Sequence, residues 1–426
     1  MRKRRAPGAH SGEEPPRALI LVCNTATDDS RVFREAATLR GLGFDVLIAG
    51  VVSTEEQRTE LRLNGFRVIR LTPVESTRRF LRRRRESRSQ AYSKESDSAG
   101  PTTGARRKLG APRRLIIASA YYLQGIALVR RLSPSVVHAN DYNTMWIGVA
   151  AKLLRGSRLV YDAHELWPDR YQRPEWRPWL LLGEWLFVRL ADANLTVSPG
   201  CAEVMARRYR VAPPIVVRNV PERVLTSPPP AERLRDARGA PLAVYVGGLV
   251  SGRGIEETIE ALPAAPDLRL VLMGRGQDAY RARLERLAAE LGVADRVEYR
   301  PPVEPAEVVE AISGAEMGLS LIQPICLSNV LSLPNKLFEY TAAGLPVVAS
   351  DLPVLGAVVR EEGIGEAVPP DDIEAIAKAM RDLAEPQRNA EVRERVRSFA
   401  EQVTWERERR ILESVYASPA GAGADG

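Results

Sequence analysis

A lysine and a glutamate three residues apart, Lys336 and Glu339, lie within the stretch SLPNKLFEYTAAGLPVVASD, residues 332 to 351. At that spacing a cation and a carboxylate are neighbours on one helix surface. A helix start offers unpaired N–H groups and a partial positive charge, which suit a phosphate. Lys336 adds a mobile cation for the same anion, and a carboxylate one turn in can accept from both hydroxyls of a ribose. The same residues also fit a solvated polar face on an ordinary helix, since helix starts favour polar residues.

The neighbouring residues must position the pair. Pro334 suits a helix opening, because its missing N–H would have had no partner there. Asn335 through Ala343 then makes about two turns, and Gly344 suits a left-handed cap. Pro346 follows, and Val347-Val348-Ala349 is an apolar run of the parallel-strand kind. The stretch predicts a helix start at the edge of an α/β sheet.

Other loops carry compatible chemistry. In YVGGLVSGRGIEETI, Gly247 and Gly248 follow a strand directly, where missing side chains let a ligand approach the backbone. Arg253 precedes the next helix and can fork onto phosphate oxygens. LMGRGQD is a further strand-end loop, with Gly274 and Gly276. Each loop alone could be an ordinary turn; together with Arg253 and Lys336 they point to a phosphate-bearing ligand. VCNTATDDS lacks the G-x-G-x-x-G of a nicotinamide site. The chain has no Walker A sequence and no D-x-D, which disfavours an NTPase and a carboxylate-held metal.

The chain has 426 residues, which suits two or three domains. No apolar run approaches the ~20 residues of a membrane span. MRKRRAPGAHSGEEPPR is basic without an apolar core, so it reads as a disordered tail rather than a signal peptide, and the protein as cytoplasmic. Cys23, Cys201 and Cys326 are too far apart for a metal spacing; Cys23 and Cys326 adjoin apolar runs and read as buried thiols.

Strand and helix patterns alternate from ALILVC through DDSRVFREAATLRGLG (Asp29 or Ser30 as cap), FDVLIAG, FRVIRL, LIIASAYYLQGIALVRRL, SVVHAN, MWIGVAAKLLRG and SRLVYDAH to NLTVS and PIVVRN. After a Pro- and Arg-rich stretch the pattern restarts with LAVYVGGL, GIEETIEALPA, LRLVLMG, AYRARLERLAAELG, VEYRPPV, AEVVEAISGA and EMGLSLI. Such alternation predicts parallel, doubly wound sheets. The expected plan is a tail at 1–17 and a first domain at 18–222 with an insert at 76–114. A linker at 223–240 and a second domain at 241–398 follow. Last come a helix at 399–416, returning to the first domain, and a tail at 417–426. The two Rossmann-like halves should face each other across a cleft, with ligands beyond the carboxyl ends of the strands.

YVGGLVSGRGIEETIEAL, LMGRGQD and LPNKLFEYTAAGLPVVASD together resemble the donor domain of the glycosyltransferase family 4 enzymes, retaining transferases of the GT-B fold. DDSRVFREAATLRGLGFDVLIAG, VVHANDYNTMWIGVAAKLL, LVYDAHELWPD, ADANLTVSPGCAEVMARRY and VVRNVPE resemble the acceptor half, so the likeness runs over residues 18 to 416 apart from the insert. It implies that Glu339 holds the nucleotide ribose and that Arg253 stands where the family usually has a diphosphate-binding Lys. Gly247, Gly248, Gly274 and Asn335 complete the expected donor site. The sequence departs from the family twice. Gly248 replaces an Arg, whose charge Lys336 can supply, and Leu331 stands where a sugar-binding Glu belongs. Backbone N–H groups near Ser332 could supply that sugar contact instead.

The implied reaction moves a sugar from a nucleoside diphosphate-sugar to a hydroxyl of a glycan or lipid-linked acceptor, with retention, in cell-envelope polysaccharide or glycolipid synthesis. Arg253, Lys336 and the helix-start N–H groups would stabilise the departing diphosphate without a metal or another cofactor. Asp141, beside Asn140, and His164, beside Glu165, face the cleft in this family and are the acceptor-side candidates. His138 reads rather as structural, and Asp28 and Arg31 as a cap and pairing at a helix start.

Residues 78–114 hold thirteen Lys or Arg against three Asp or Glu, a net of +10 against +7 for the whole chain. Such a segment should be disordered. Phe80 and Tyr92 are its only aromatic residues, so an anionic membrane surface at the inner face of the cell membrane is the better partner than nucleic acid. The Arg82-Arg83-Arg84-Arg85 cluster is its densest charge. Trp167, Trp176, Trp179 and Trp185 alternate with Arg in LWPDRYQRPEWRPWLLLGEW, as in an interfacial segment or in packing between helices. The alternative enzyme is a nucleotide-sugar epimerase of the same fold, which needs no acceptor. A non-catalytic glycan- or lipid-binding relative would not need Glu339, Lys336 and Arg253.

Overall fold

The structure is a computed structural model that describes residues 15–27, 29–52, 59–71, 111–170, 177–225 and 239–417, with backbone only over 111–119. The readings placed on the N-terminal tail before residue 15, Asp28, the insert up to residue 110 with its arginine cluster, Trp176, most of the linker and the C-terminal tail lie outside those residues. Two compact units emerge: Met1–Thr27 with Leu39–Val160, and Asp28–Thr38 with Tyr161–Gly426.

In the first unit, β1 (Arg17–Leu21), β2 (Asp45–Val51), β3 (Glu60–Leu63), β4 (Phe66–Leu71) and β5 (Val136–Asn140) lie in the order β3-β4-β2-β1-β5. β1 and β2 are apolar along nearly their whole length because both their faces are buried. β1 pairs in parallel with β2 and β5, and β2 with β4, as the alternation predicts. β3 corrects that expectation, because it runs antiparallel to β4. The turn between them is Asn64-Gly65, at φ 48° and 76°. Asn-Gly is the pair that a tight hairpin turn prefers, since both residues tolerate positive φ.

α2 (Ala111–Leu132) and α3 (Asp141–Arg155) belong with these strands, while α1 (Ser30–Gly41) falls in the second unit through Thr38. Asp29, not Ser30, caps α1, its Oδ1 accepting from the Val32 amide at 3.3 Å. The expected burial of Cys23 and Cys326 is also corrected. Cys23 is exposed and Cys326 half-buried, while Cys201 is the buried thiol. Cys23 stands past the end of β1, where an apolar run loses its cover as the chain leaves the sheet.

The second unit takes up β6 (Arg158–Ala163) from Tyr161 onward and continues through α4 (Arg177–Leu190), β7 (Ala193–Thr196), α5 (Pro199–Tyr209) and β8 (Ile215–Val216). The sequence reading placed no helix at α4 or α5, although Ser198-Pro199 is a cap followed by a helix-opening proline. α4 escaped it because its apolar residues face outward as well as inward.

A six-stranded parallel sheet follows, in the order β11-β10-β9-β12-β13-β14. Its strands are β9 (Leu242–Val246), β10 (Arg269–Met273), β11 (Val297–Arg300), β12 (Met317–Ser320), β13 (Val347–Ser350) and β14 (Gly365–Val368). The helices between them are α6 (Ile255–Ala261), α7 (Asp278–Glu290), α8 (Val308–Ile312), α9 (Leu327–Val330), α10 (Asn335–Ala342) and α11 (Leu355–Glu362). α12 (Ile373–Ala384), α13 (Pro386–Gln402) and α14 (Trp405–Ala417) close the chain. β9, β12 and β13 are buried at every position, as expected of strands covered on both faces. Among the described residues no helix is long and apolar enough to cross a membrane.

Candidate functional site

The helix predicted from Pro334 is α10. Pro334 is its cap, in extended conformation, and Asn335 its first residue, exposed. Gly344 has φ +76°, and the amides of Gly344 and Leu345 donate to Thr341 and Tyr340 at 3.0 and 2.9 Å, which closes the helix end. Tyr340 fixes the helix on the sheet. Its hydroxyl donates to the Leu319 carbonyl and accepts from the Val246 amide, each at 3.0 Å, so α10 is tied to β12 and β9.

That anchoring turns Lys336 inward. It is 8% exposed, so the mobile cation of the sequence reading is corrected to a buried one. Its Nζ lies 3.7 Å from the centroid of the Tyr245 ring and has no hydrogen-bond partner among the described residues. A β-carbon on Gly247 would stand 3.9 Å from the same nitrogen, so the amine borders the first glycine after β9. Tyr245 in turn donates to the Gly248 carbonyl at 2.8 Å. Burial drives the Lys336 pKa well below its ordinary value and Arg253 adds to the effect, while Glu339 opposes both. Burial raises the Glu339 pKa against the lowering effects of Lys336 and Arg34.

The expected glycines differ in what they do. Gly247 adopts φ +128°, and its amide donates to the Met273 carbonyl at 3.0 Å. A β-carbon on Gly274 would overlap the Gly247 carbonyl oxygen, so Gly274 is required by the approach of two strand ends. Gly248 is exposed with open space around it.

Arg34 was not singled out from sequence, and its side chain shapes this site. It is buried on α1, donates to Asn219 Oδ1, and lies 5.2 Å from the Trp405 ring centroid. Burial and the like charge of Arg31 lower its pKa to about 10. Its place three residues after Arg31 on an amphipathic helix was the signal available.

Among the described residues, Arg31 pairs with Asp162 and Glu35. Its Nε and Nη2 bind Asp162 Oδ2 at 3.1 and 2.6 Å, Glu35 lies 2.8 Å away, and Nη1 donates to the Val217 carbonyl at 2.9 Å. Burial works against the Arg31 cation, but Asp162 and Glu35 outweigh it and raise its pKa. His164 Nε2 lies 3.7 Å from the same Asp162 oxygen, and Glu165 pairs with Arg170 at 3.0 Å. Within the second unit, charged side chains thus run from Arg253 through Lys336, Glu339, Arg34, Arg31 and Asp162 to His164.

Asp141 lies in the first unit, as the first residue of α3 with φ +64°, and His138 and Asn140 are buried in β5. Leu331, where the family glutamate would fall, is held through its carbonyl, which accepts from Ser198 Oγ at 2.7 Å. The amides of Leu331 and Ser332 donate to Leu327 and Asn329 at 3.1 and 3.3 Å. Those two amides are therefore not free for a sugar. The cause is the short helix α9, whose last turn takes up both.

Residues 31–219 match the family model described as Glycosyltransferase Family 4, and residues 232–403 match the one described as Glycosyl transferases group 1. GDP-mannose:cellobiosyl-diphosphopolyprenol alpha-mannosyltransferase of Xanthomonas campestris is 30% identical over 145 residues, 33% of this chain and 37% of that protein. D-inositol 3-phosphate glycosyltransferase of Streptomyces scabiei is 26% identical over 348 residues, 75% of this chain and 76% of the relative. For several such relatives the match spans about two-fifths of their own length, 37% and 42% in two cases. Sucrose-phosphate synthase from Thermosynechococcus elongatus shares the fold, with a TM-score of 0.68 at 21% identity over 94% of this chain and 98% of that one. Matched in both halves and built on the GT-B fold, the chain belongs to glycosyltransferase family 4.

Proposed function

We propose that the protein transfers a sugar from a nucleoside diphosphate-sugar to a hydroxyl of a glycan or lipid-linked acceptor, with retention, at the inner face of the cell membrane in envelope polysaccharide or glycolipid synthesis. The observation that carries the donor part is Lys336, buried beside Gly247 with no hydrogen-bond partner among the described residues and with Arg253 and Glu339 close by. A buried amine lacking an acceptor suits a pocket whose acceptor is the ligand.

In this reading Glu339 accepts from the ribose hydroxyls. Arg253, Lys336 and the first amides of α10 meet the diphosphate. Charge grows on the diphosphate as its bond to the sugar breaks, and preorganised donors stabilise that growth without a metal. The acceptor hydroxyl then attacks the face that the diphosphate leaves. His164, held by Asp162, and Asp141 keep the acceptor-side roles that the family resemblance implies.

Two observations favour a membrane-borne acceptor. The name of the Xanthomonas relative carries a diphosphopolyprenol acceptor and a GDP-mannose donor. On α4, Trp179, Leu182, Trp185 and Leu186 are 67%, 56%, 43% and 37% exposed, and their spacing puts them on one face. The basic segment 78–114 would hold the same surface electrostatically.

Incubation with a panel of nucleotide sugars, with and without a membrane extract, tests the reading. Release of free nucleoside diphosphate only with the extract is the expected result, and it should persist in excess EDTA. A C2-epimer formed without extract would support the epimerase instead, and activity restored only by Mg²⁺ or Mn²⁺ would overturn the metal-free mechanism.

A further inference from the structure

Lys336 meets charged or titratable groups from three directions. The Tyr245 ring covers it from β9, Arg253 bears on it from the loop before α6, and Glu339 bears on it from its own helix, with Arg34 of α1 beyond Glu339. An ammonium carries three donors, and none has a partner among the described residues. The ring face offsets only part of the lost hydration. Arg253 repels the charge, and the half-buried Glu339 shares its own attraction with Arg34. Such a group gives up its proton in preference to staying charged in a poorly solvated pocket.

From this geometry, and on the donor reading above, we propose that Lys336 is a proton-loading residue. It stands largely neutral in the empty pocket and takes one proton from solvent when a diphosphate supplies the missing acceptor oxygens. The proton returns to solvent when the diphosphate leaves, so no covalent bond and no net charge is left over. The pocket thereby avoids holding an unpaired buried cation between turnovers, yet offers a full ammonium to the diphosphate as negative charge builds on it. Tyr245 is the positioning residue, because its ring holds the amine against Gly247.

The test is calorimetry of UDP and GDP binding to the whole chain in buffers of differing ionisation enthalpy, from about pH 7 to 9. A terminal phosphate has itself lost its second proton near pH 6, so the ligand contributes little there. Uptake approaching one proton per bound nucleotide is expected, with Kd weakening up to tenfold per pH unit. Lys336→Arg keeps the charge but does not titrate, so uptake should vanish and affinity should become flat with pH. If that variant does not fold, Lys336→Met supplies the same comparison of uptake. Binding by wild type without proton uptake, or equal uptake in the variant, overturns the proposal and leaves the donor reading standing. Failure of wild type to bind either nucleotide would overturn both.

Discussion

Gly274 leaves the Gly247 carbonyl room that no β-carbon would allow. The contact joins the ends of β9 and β10 at the level of the candidate diphosphate pocket, where Gly247 also donates to Met273 at 3.0 Å. One carbonyl position therefore depends on an absent methyl group on the neighbouring strand end. Gly274→Ala should displace that loop at a cost of about 1–3 kcal/mol, typical of overpacking. Gly248→Ala, in open space, should cost under about 0.5 kcal/mol. Thermal unfolding of the two variants makes the comparison, and equal stabilities would remove the packing role of Gly274.

Glu339→Gln keeps shape but would weaken the two charge-assisted hydrogen bonds to a ribose that the proposed donor site assigns to it, each worth roughly 1.5–3 kcal/mol. Calorimetry should show nucleoside diphosphate affinity falling at least tenfold. Unchanged affinity in a folded variant would take Glu339 out of the donor site.

Glu184 on α4 is fully buried, with Tyr161 donating to its Oε1 at 2.8 Å and Tyr209 to its Oε2. Burial pushes its pKa from the ordinary 4.5 up to about 7, against the lowering effect of the two tyrosine hydrogen bonds. The folded state therefore favours the protonated acid. This contribution is fully present below about pH 4.5 and is lost as pH rises through about 7. Wild type should lose stability relative to Glu184→Gln over that window, by a few kcal/mol at most. A stability difference that stays constant from pH 4.5 to 7.5 would show that Glu184 does not titrate there.

The outward face of α4 should matter at a lipid surface and little in solution. Trp179→Ser with Trp185→Ser should reduce sedimentation with anionic vesicles several-fold, while the stability change remains about 1 kcal/mol because neither residue is buried in the core. Rising salt should release whatever binding the basic segment contributes, since exposed charges are screened over about 8 Å at physiological ionic strength. Undiminished sedimentation of the double variant at high salt would exclude this face as the anchor.

The sequence by itself determined the alternating strands and helices, since continuous apolar runs bounded by glycine and proline are local signals. Gly344 could be read as a left-handed cap because the helix end needs positive φ, which glycine meets without strain. Lys336, Glu339 and Arg253 could be picked out by type and by their place at strand ends. Locality also set the limits of that reading. α4 went unread because its apolar residues occupy two faces, one packed around Glu184 and one exposed, so no single-face period appears. Only the tertiary structure decided that Lys336 is buried, because its environment is made by Tyr245 and Gly247, about ninety residues earlier in the chain. Arg34 likewise gained its role from Glu339 and Asn219, both far away in the chain. Residue type fixes which charges are available. Burial and neighbours fix which of them stay charged, and both arise only when distant segments pack together.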